Sequence, residues 1–595
     1  MSEKDSDAEI TLRLGAAAGD GIQSAGEMIM KVLSRSGMHV TTYNGNQSLI
    51  RGGHVWFHVH ASTKKIYSLG YGIDFLIPLT QLSYDQHFEK LNQGGAVIYD
   101  PVAVKIHDLD PKVMQISVPL ADIALKYDKR PIMKNTVALG SLCAVIGVDI
   151  NVLSKAIQDQ FGRKEPAVAE NNIKAAMDGY EMVKKQTRPL KNIQYNYSVR
   201  RPAMTADYAL ALGAVAAGCR FYAAYPMSPA SPIVHWMASH AKKLGITVFL
   251  GEDEISVMNA TIGASYAGAR AMCATSGGGF ALMQEAIGEA AMTETPVVVV
   301  DVMRAGPSTG LPTKTSQGDL NMMLGISQDD FPRVILAPRN PEESFYTAPR
   351  AFNLAERYQV PVIILLDFAI GDGGYSTVDN LNFAFEIDRG KLLSTPPPAY
   401  TNGYWFKRFA ITDDNISPRS IPGTPDMMFV AKTDEHDEWG HDLSDVLAGL
   451  KEYLPIRRRM HEKRMKKLEE IKKEMKLPEI YGPSGADVSI ITWGSSSNAV
   501  REALHELHKK GVSVNSFEFS DIYPMQEDEV RKILSTAGIM VDVEVNYSAQ
   551  FAKLLKREAG VEINNFFLKY DGEPIYPEEV EKHILATRKE VHAIA

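Results

Sequence analysis

Residues 246–279 read ITVFLGEDEISVMNATIGASYAGARAMCATSGGG. A short apolar run ends in a glycine and acids, a helix-length segment of small and apolar residues follows, and a second apolar run ends in a glycine turn. Strand, turn, helix, strand, turn is the order of a parallel sheet, because parallel neighbours need a crossover between them. The pattern recurs on both sides, in GCRFYAAYPMSPAS from Gly218, TPVVVVDVMRAG from Thr295, FPRVILAP from Phe331 and PVIILLD from Pro361. Continuous apolar strands predict a sheet covered on both faces, with ligands meeting the C-terminal ends of its strands.

Outward from this core, residues 1–187 alternate apolar runs (EITLRLG, HVWFHVH, DFLIPLT, GGAVIYD) with helical patterns and read as a separate α/β domain. Residues 188–200 form a polar linker, and 201–372 hold the parallel-sheet domain. Residues 373–480 are a connector, with three prolines at 396–398 and the run RRRMHEKRMKKLEEIKKEMK at 457–476. Acids and bases interleave in that run at helical spacing, which predicts a solvated connecting helix rather than a nucleic-acid surface. Residues 481–595 (ADVSIITWG, GVSVNSFEF, GIMVDVEV) return to the α/β pattern, so the fold class is α/β in three domains. A length of 595 residues accommodates three cores, and a net charge of -9 disfavours general attraction to nucleic acid or anionic membrane. Cys143, Cys219 and Cys273 are scattered, without a C-x-x-C pair, and encode neither a disulfide framework nor a metal or cluster site. The acidic start MSEKDSDAEI has no signal-length apolar run and no stretch has membrane-spanning length, so the expected location is cytoplasmic.

The strand-end face is where chemistry is expected. Glu252, Asp253 and Glu254 occupy such a turn; capping accounts for the first two, because helix-end N–H groups favour negative charge. Ala260, Gly263, Ala264, Ala267 and Gly268 suggest a helix packed closely on another backbone, with Glu254 facing something buried, where a carboxyl resists ionisation. Ser228 and Ser231 lie in the turn YPMSPASP at 225–232, held by prolines. Arg304 follows a strand and opens a loop containing Ser308, Thr309, Thr313 and Lys314; its planar fork suits a carboxylate. TSGGG at 275–279 is compatible with close approach to a phosphate, as are Gly15, Gly19 and Gly21 between a strand and a helix. His54, His58 and His60 alternate on one strand face and read as a packed or interfacial row, while Arg419, His436 and Asp437 read equally as functional or as connector residues.

Together these segments resemble the 2-oxoacid:ferredoxin oxidoreductases, specifically an α subunit with a fused γ domain as in the 2-oxoglutarate-specific members. The carriers are YPMSPASP, GEDEISVMNATIGASYAGARAMCATSGGGFALM, RAGPSTGLPTKTSQGDL, ITDDNISPRSIPG, DEHDEWG, VDVEVNYSAQFAKLL and KYDGEPIYP, with GAAAGDGIQSAGE and QSLIRGGHVWFHV for the γ-like part. The resemblance makes 201–372 a pyrimidine-binding-like catalytic domain and 481–595 a transketolase C-terminal-like domain. It implies thiamine pyrophosphate chemistry: 2-oxoglutarate, coenzyme A and oxidised ferredoxin interconvert with succinyl-CoA, CO2 and reduced ferredoxin. By motif matching, Glu254 holds the cofactor's aminopyrimidine. Pro226 and Ser228 stand in the family's Y-P-I-T-P turn beside cofactor and substrate, with Met227 and Ser228 replacing its isoleucine and threonine. Arg304 pairs with the substrate carboxylate and Thr313 lines the same pocket, while Gly15, Gly19, Gly21, Arg51, Gly52 and Gly53 are candidates for coenzyme A contacts.

The GDG triplets at 19–21 and 371–373 have no convincing partner for a diphosphate–magnesium motif and read as glycine turns. Mg2+ and a [4Fe-4S] cluster are therefore implied on a separate β subunit, with thiamine pyrophosphate shared between chains and an (αβ)2 assembly; this chain has no metal site of its own in that reading. Pyruvate or branched-chain 2-oxoacids are the near alternatives as substrate. A noncatalytic coenzyme-A-binding or interaction subunit is the alternative of another class, and a single-chain transketolase-like enzyme is weakened by the missing magnesium motif.

Overall fold

The computed structural model describes residues 9–47, 52–162, 165–443, 451 and 453–594. The N-terminal part is built on strands β1 (Glu9–Ala17), β2 (His39–Gly45), β3 (His54–Ser62), β4 (Ile73–Pro78), β5 (Leu91–Tyr99) and β6 (Met114–Ser117). They lie in the order β6-β5-β4-β1-β3-β2, with β1 antiparallel to β3 and parallel to β4. β1 sits in the middle because both of its faces are covered: Ile10, Leu12 and Leu14 are fully buried, and Thr11 and Arg13 on the opposite face are 2% exposed. On one side the helices Lys134–Ile146 and Pro166–Gln186 pack backbone to backbone, since a Cβ on Gly140 would collide with the Ala176 carbonyl. The three histidines of β3 have separate partners: His54 meets His87 at 2.8 Å, His58 the Leu69 carbonyl at 2.8 Å, and His60 both Glu9 and the Ser68 carbonyl at 2.6 Å.

After β7 (Ala203–Met204), the second sheet contains β8 (Cys219–Ala224), β9 (Thr247–Leu250), β10 (Arg270–Thr275), β11 (Val297–Met303), β12 (Val334–Leu336) and β13 (Pro361–Asp367). Their order is β12-β13-β11-β10-β8-β9, all parallel. β10, β11 and β13 are buried along their whole lengths, the signature of strands sandwiched between helix layers. One layer includes the helices Ala206–Ala216 and Pro341–Tyr358, and the other includes Glu254–Tyr266 and Gly277–Met292. The close packing expected of the small residues 260–268 is made within this chain at Gly268, where a Cβ would fall 2.6 Å from the Ile421 side chain, but not at Gly263. Gly263 is exposed and a Cβ there meets nothing within 4 Å, because the helix turns Val257, Met258, Thr261 and Ile262 inward instead.

β14 (Ser376–Thr377) pairs with both β2 and β7, so the first sheet is completed by segments on either side of the second. The connector carries a small hairpin of β15 (Thr401–Asn402) and β16 (Trp405–Phe406). Its helix Leu454–Glu474 is not solvated all round: Lys463, Arg464 and Lys467 are buried. Both lysines reach the fully buried Glu294 at 2.5 Å, and Arg464 grips Glu435 with two bonds, so the basic face exists to meet buried acids. The last sheet is β17 (Glu479–Tyr481), β18 (Val488–Trp493), β19 (Val514–Phe519), β21 (Ile539–Glu544) and β22 (Asn565–Leu568), ordered β17-β19-β18-β21-β22. Between them, β20 (Asp521–Tyr523) leaves to extend the second sheet antiparallel to β12. The C-terminal unit is therefore stitched to the parallel-sheet domain through a shared sheet.

Candidate active site

The turns after β8, β9, β10 and β11 meet at one edge of the second sheet. After β9, Asp253 is the N-cap of helix 254–266, and its carboxylate accepts from the Ser256 N–H at 2.8 Å in a capping box. Since Asp253 satisfies the helix end, Glu254 is free to turn inward; it is 4% exposed and its Oε1 has no hydrogen-bond partner in the chain. That orphaned oxygen lies against Gly279, where an added Cβ would fall 2.6 Å from it and collide with the Thr275 hydroxyl. A buried carboxylate oxygen without a donor is costly and asks for a partner from outside.

Thr275, at the end of β10, contacts the Met227 sulfur at 3.9 Å, which brings in the turn after β8. Within that turn the Ser228 carbonyl accepts from Arg304 Nη1 at 2.7 Å, so Arg304 and the YPMSP turn are held together. Pro226 and Ser228 are exposed while Glu254 is buried, so the site opens outward from a buried acid. Tyr225, Leu250, Ile255, Leu282 and Leu311 are exposed apolar side chains on the surrounding segments.

Glu254, Ser228 and Arg304 thus lie on one strand-end face, whereas Thr313 is engaged elsewhere. Its hydroxyl donates to the Asn46 carbonyl at 2.9 Å and fastens the 304–320 loop to the N-terminal domain. The same loop is clasped from the C-terminal domain, where the Thr315 N–H meets the Gly572 carbonyl at 3.0 Å and the Gln317 N–H the Val545 carbonyl at 2.7 Å. Lys314 pairs with Glu573. The TSGGG turn does not present an open phosphate cradle: Glu254 crowds Gly279 and the Asp319 carboxyl crowds Gly277, and two acids oppose a phosphate there. Asp301 follows no motif and Asp319, although inside RAGPSTGLPTKTSQGDL, has no role assigned by sequence; their carboxyls face each other near Arg304, and burial pushes Asp319 up to about 6.

In the N-terminal domain, Gly15 lies inside β1 rather than at its end, paired with Trp56, and a Cβ added there would fall 2.8 Å from that of Ser83. The strand continues to Ala17 because the β3 pairing does, so the turn is Ala18–Gly21, with Gly19 and Gly21 at φ 95° and 76°. The Ala18 N–H donates to the Gly53 carbonyl at 3.1 Å, which joins this turn to the Gly52–Gly53 turn. Beside Gly19 and Gly21 is a cavity of about 620 Å³ that also involves Lys134 and Asn135. Arg51 lies outside the described residues. Asp372 of the second GDG triplet is largely buried, and burial pushes it up to about 6. The hydrogen bonds from Gly371 N–H to the Asp367 carbonyl and from Gly373 N–H to the Phe368 carbonyl make that triplet a closed turn. Among the described residues no group of three or more His, Cys, Asp or Glu side chains is arranged to hold a metal ion, and no helix is long and apolar enough to cross a membrane.

Two family models match this chain: "Pyruvate flavodoxin/ferredoxin oxidoreductase, thiamine diP-bdg" over residues 212–448 and "Pyruvate ferredoxin/flavodoxin oxidoreductase" over 11–182. The 2-oxoacid:ferredoxin oxidoreductase subunit alpha of Saccharolobus solfataricus is 30% identical over 97% of both chains. The 2-oxoglutarate synthase subunit KorA of Methanothermobacter marburgensis is 33% identical over 65% of this chain and 100% of its own. Among solved structures, a 2-oxoglutarate:ferredoxin oxidoreductase from Magnetococcus marinus, with 2-oxoglutarate, coenzyme A and succinyl-CoA bound, is 32% identical over 97% of this chain and 99% of that one, at a TM-score of 0.89. With a strand-end site of this composition and likeness over nearly its full length, the chain belongs to the 2-oxoacid:ferredoxin oxidoreductase family, as a subunit with a thiamine diphosphate-binding domain.

Proposed function

We propose that this chain is the α subunit of a 2-oxoglutarate:ferredoxin oxidoreductase that forms succinyl-CoA, CO2 and reduced ferredoxin, or runs that reaction in reverse. The observation that carries the reading is the buried, unpartnered Oε1 of Glu254 beside Gly279, with Arg304 across the same strand-end face. The residues fit thiamine pyrophosphate at its pyrimidine end: Glu254 offers the oxygen a ring nitrogen would complete, and the absence of a side chain at Gly279 lets the Glu254 carboxyl sit where it does. Bound there, the cofactor supplies the carbon nucleophile and electron sink for decarboxylating a 2-oxoacid. Glu254 holds a proton at the ring, Arg304 receives the substrate carboxylate, and Pro226 and Ser228 border the open side of the site.

The 2-oxoglutarate assignment is supported by the likeness to the Magnetococcus marinus structure and to subunit KorA. The wider alternative, pyruvate or branched-chain 2-oxoacids, draws on relatives named only for 2-oxoacids and on Arg304, which reads a group shared by them all. Coenzyme A is assigned to the joined turns of Gly19, Gly21 and Gly52, with Arg51; the bond from Thr313 to Asn46 ties that region to the substrate loop. A [4Fe-4S] cluster needs four thiolates, and the chain has three cysteines, all buried. The cluster, Mg2+ and the diphosphate site are therefore assigned to a β subunit in a cytoplasmic (αβ)2 assembly that passes electrons to ferredoxin.

The test is anaerobic dye reduction by the chain co-expressed with its β partner, on 2-oxoglutarate, pyruvate and branched-chain 2-oxoacids, with and without coenzyme A. Glu254→Gln is expected to assemble normally and lose at least about 100-fold in turnover. A cofactor-loaded complex inactive on every 2-oxoacid, or unaffected by the substitution, moves the assignment to a noncatalytic coenzyme-A-binding subunit.

A further inference from the structure

Asp301 is fully buried on β11, and Asp319 comes back to it at the end of the 304–320 loop. Neither oxygen of Asp301, nor Oδ2 of Asp319, has a donor within hydrogen-bond geometry; what faces them is each other's carboxyl. Two ionised carboxylates have no proton to place between them, and two buried like charges in contact cannot both stay ionised. A single shared proton resolves both problems. The charged group that faces both acids is Arg304, whose Nε is likewise buried without a partner. Glu254 stands on the far side of the glycine turn, against Gly279, while Asp319 lies against Gly277.

We propose that Asp301 and Asp319 are positioning residues: a proton-sharing acid pair whose charge acts through space on the Arg304 guanidinium and sets how strongly it grips a substrate carboxylate. The inference rests on the reading of Arg304 as the carboxylate-binding group. With one proton between them the pair carries one negative charge and compensates Arg304. When a second proton is bound, Arg304 loses that compensation and attracts an incoming carboxylate more strongly.

The sign follows. Burial pushes the Asp319 carboxyl up to about 6, so the second proton is present below that value and gone above it. KM for the 2-oxoacid should rise with pH through about 6, by up to about tenfold, with kcat changing less.

The experiment uses the α–β complex for kinetics and the full chain for infrared spectroscopy. Asp319→Asn and Asp301→Asn, both isosteric, are each expected to flatten the pH profile of KM and to remove a protonated-carboxyl band from the spectrum subtracted against wild type between about pH 5 and 8. Asp319→Glu should restore the titration. A subtraction without a protonated-carboxyl band overturns the pair, and a band that is lost while KM keeps its wild-type pH profile overturns its action on Arg304. If the wild-type complex turns over no 2-oxoacid, the function proposed above fails, and the infrared subtraction still decides whether the proton is shared. Two independent variants keep the test open should one of them fold poorly.

Discussion

Asp253 and Glu254 are neighbours with opposite fates: one caps a helix in solvent and the other is buried without a partner. The sequence announced both, because three acids at a strand end exceed what one helix terminus needs. Asp301 and Asp319 left no such mark; they are separated by a loop, and only the return of that loop brings them together. Asp372 permits a separate test. Its carboxyl is raised to about 6 by burial, above the ordinary value of about 4, so its contribution to stability is fully present below about pH 4 and lost as pH rises through about 6. Asp372→Asn is therefore expected to be more stable than wild type at neutral pH, by up to about 2 kcal/mol, with the gap closing toward pH 4. Denaturant titrations at several pH values measure this.

At the scale of elements, the strands were the legible part. β10, β11 and β13 are continuous apolar runs ending in turn residues, and each lies where its run predicts. Two-residue strands such as β7 and β14 carry no periodicity to read, and β20 is three residues next to a strand that serves another sheet. Helix 254–266 shows a subtler limit: small residues signal close approach without saying to what. Since Gly263 faces open space in this chain, the face fits an approaching second polypeptide. Gly263→Leu should leave thermal unfolding of the isolated chain unchanged or slightly raised, because glycine costs about 1 kcal/mol inside a helix. Size-exclusion chromatography of the co-expressed complex should show that the variant no longer assembles; normal assembly would free this face from the interface.

At the scale of the whole molecule, the connector is an anchored strut. Burial lowers Lys463 to about 7 and lowers Lys467, while Glu294, which burial alone would raise, is held well below its ordinary range by the charges of Lys463, Lys467 and Arg408. From sequence the basic run reads as solvated because Glu294 lies far away along the chain, at a turn before β11. Glu294→Gln leaves buried cations without their counter-charge and is expected to cost about 3–5 kcal/mol, measured as a lower thermal midpoint and faster proteolysis within the connector. Lys463→Met should cost less, since Lys467 still neutralises the glutamate.

The completion of the first sheet by β7 and β14 has a consequence for how the chain is divided. Pairings this short would not by themselves hold two free polypeptides together; they close the edge of β2 beside the bonds from Thr42 N–H to the Tyr375 carbonyl and from Asn44 N–H to the Gly373 carbonyl. On one chain, the segment between residues 187 and 203 acts as a tether, and a short tether supplies an effective concentration in the millimolar range. Covalent continuity thus reinforces an interface in which Tyr43, Trp56 and Leu69 share a buried cluster with Phe368, and cutting the chain at the linker should leave the N-terminal domain bound at micromolar concentration and release it only on far greater dilution.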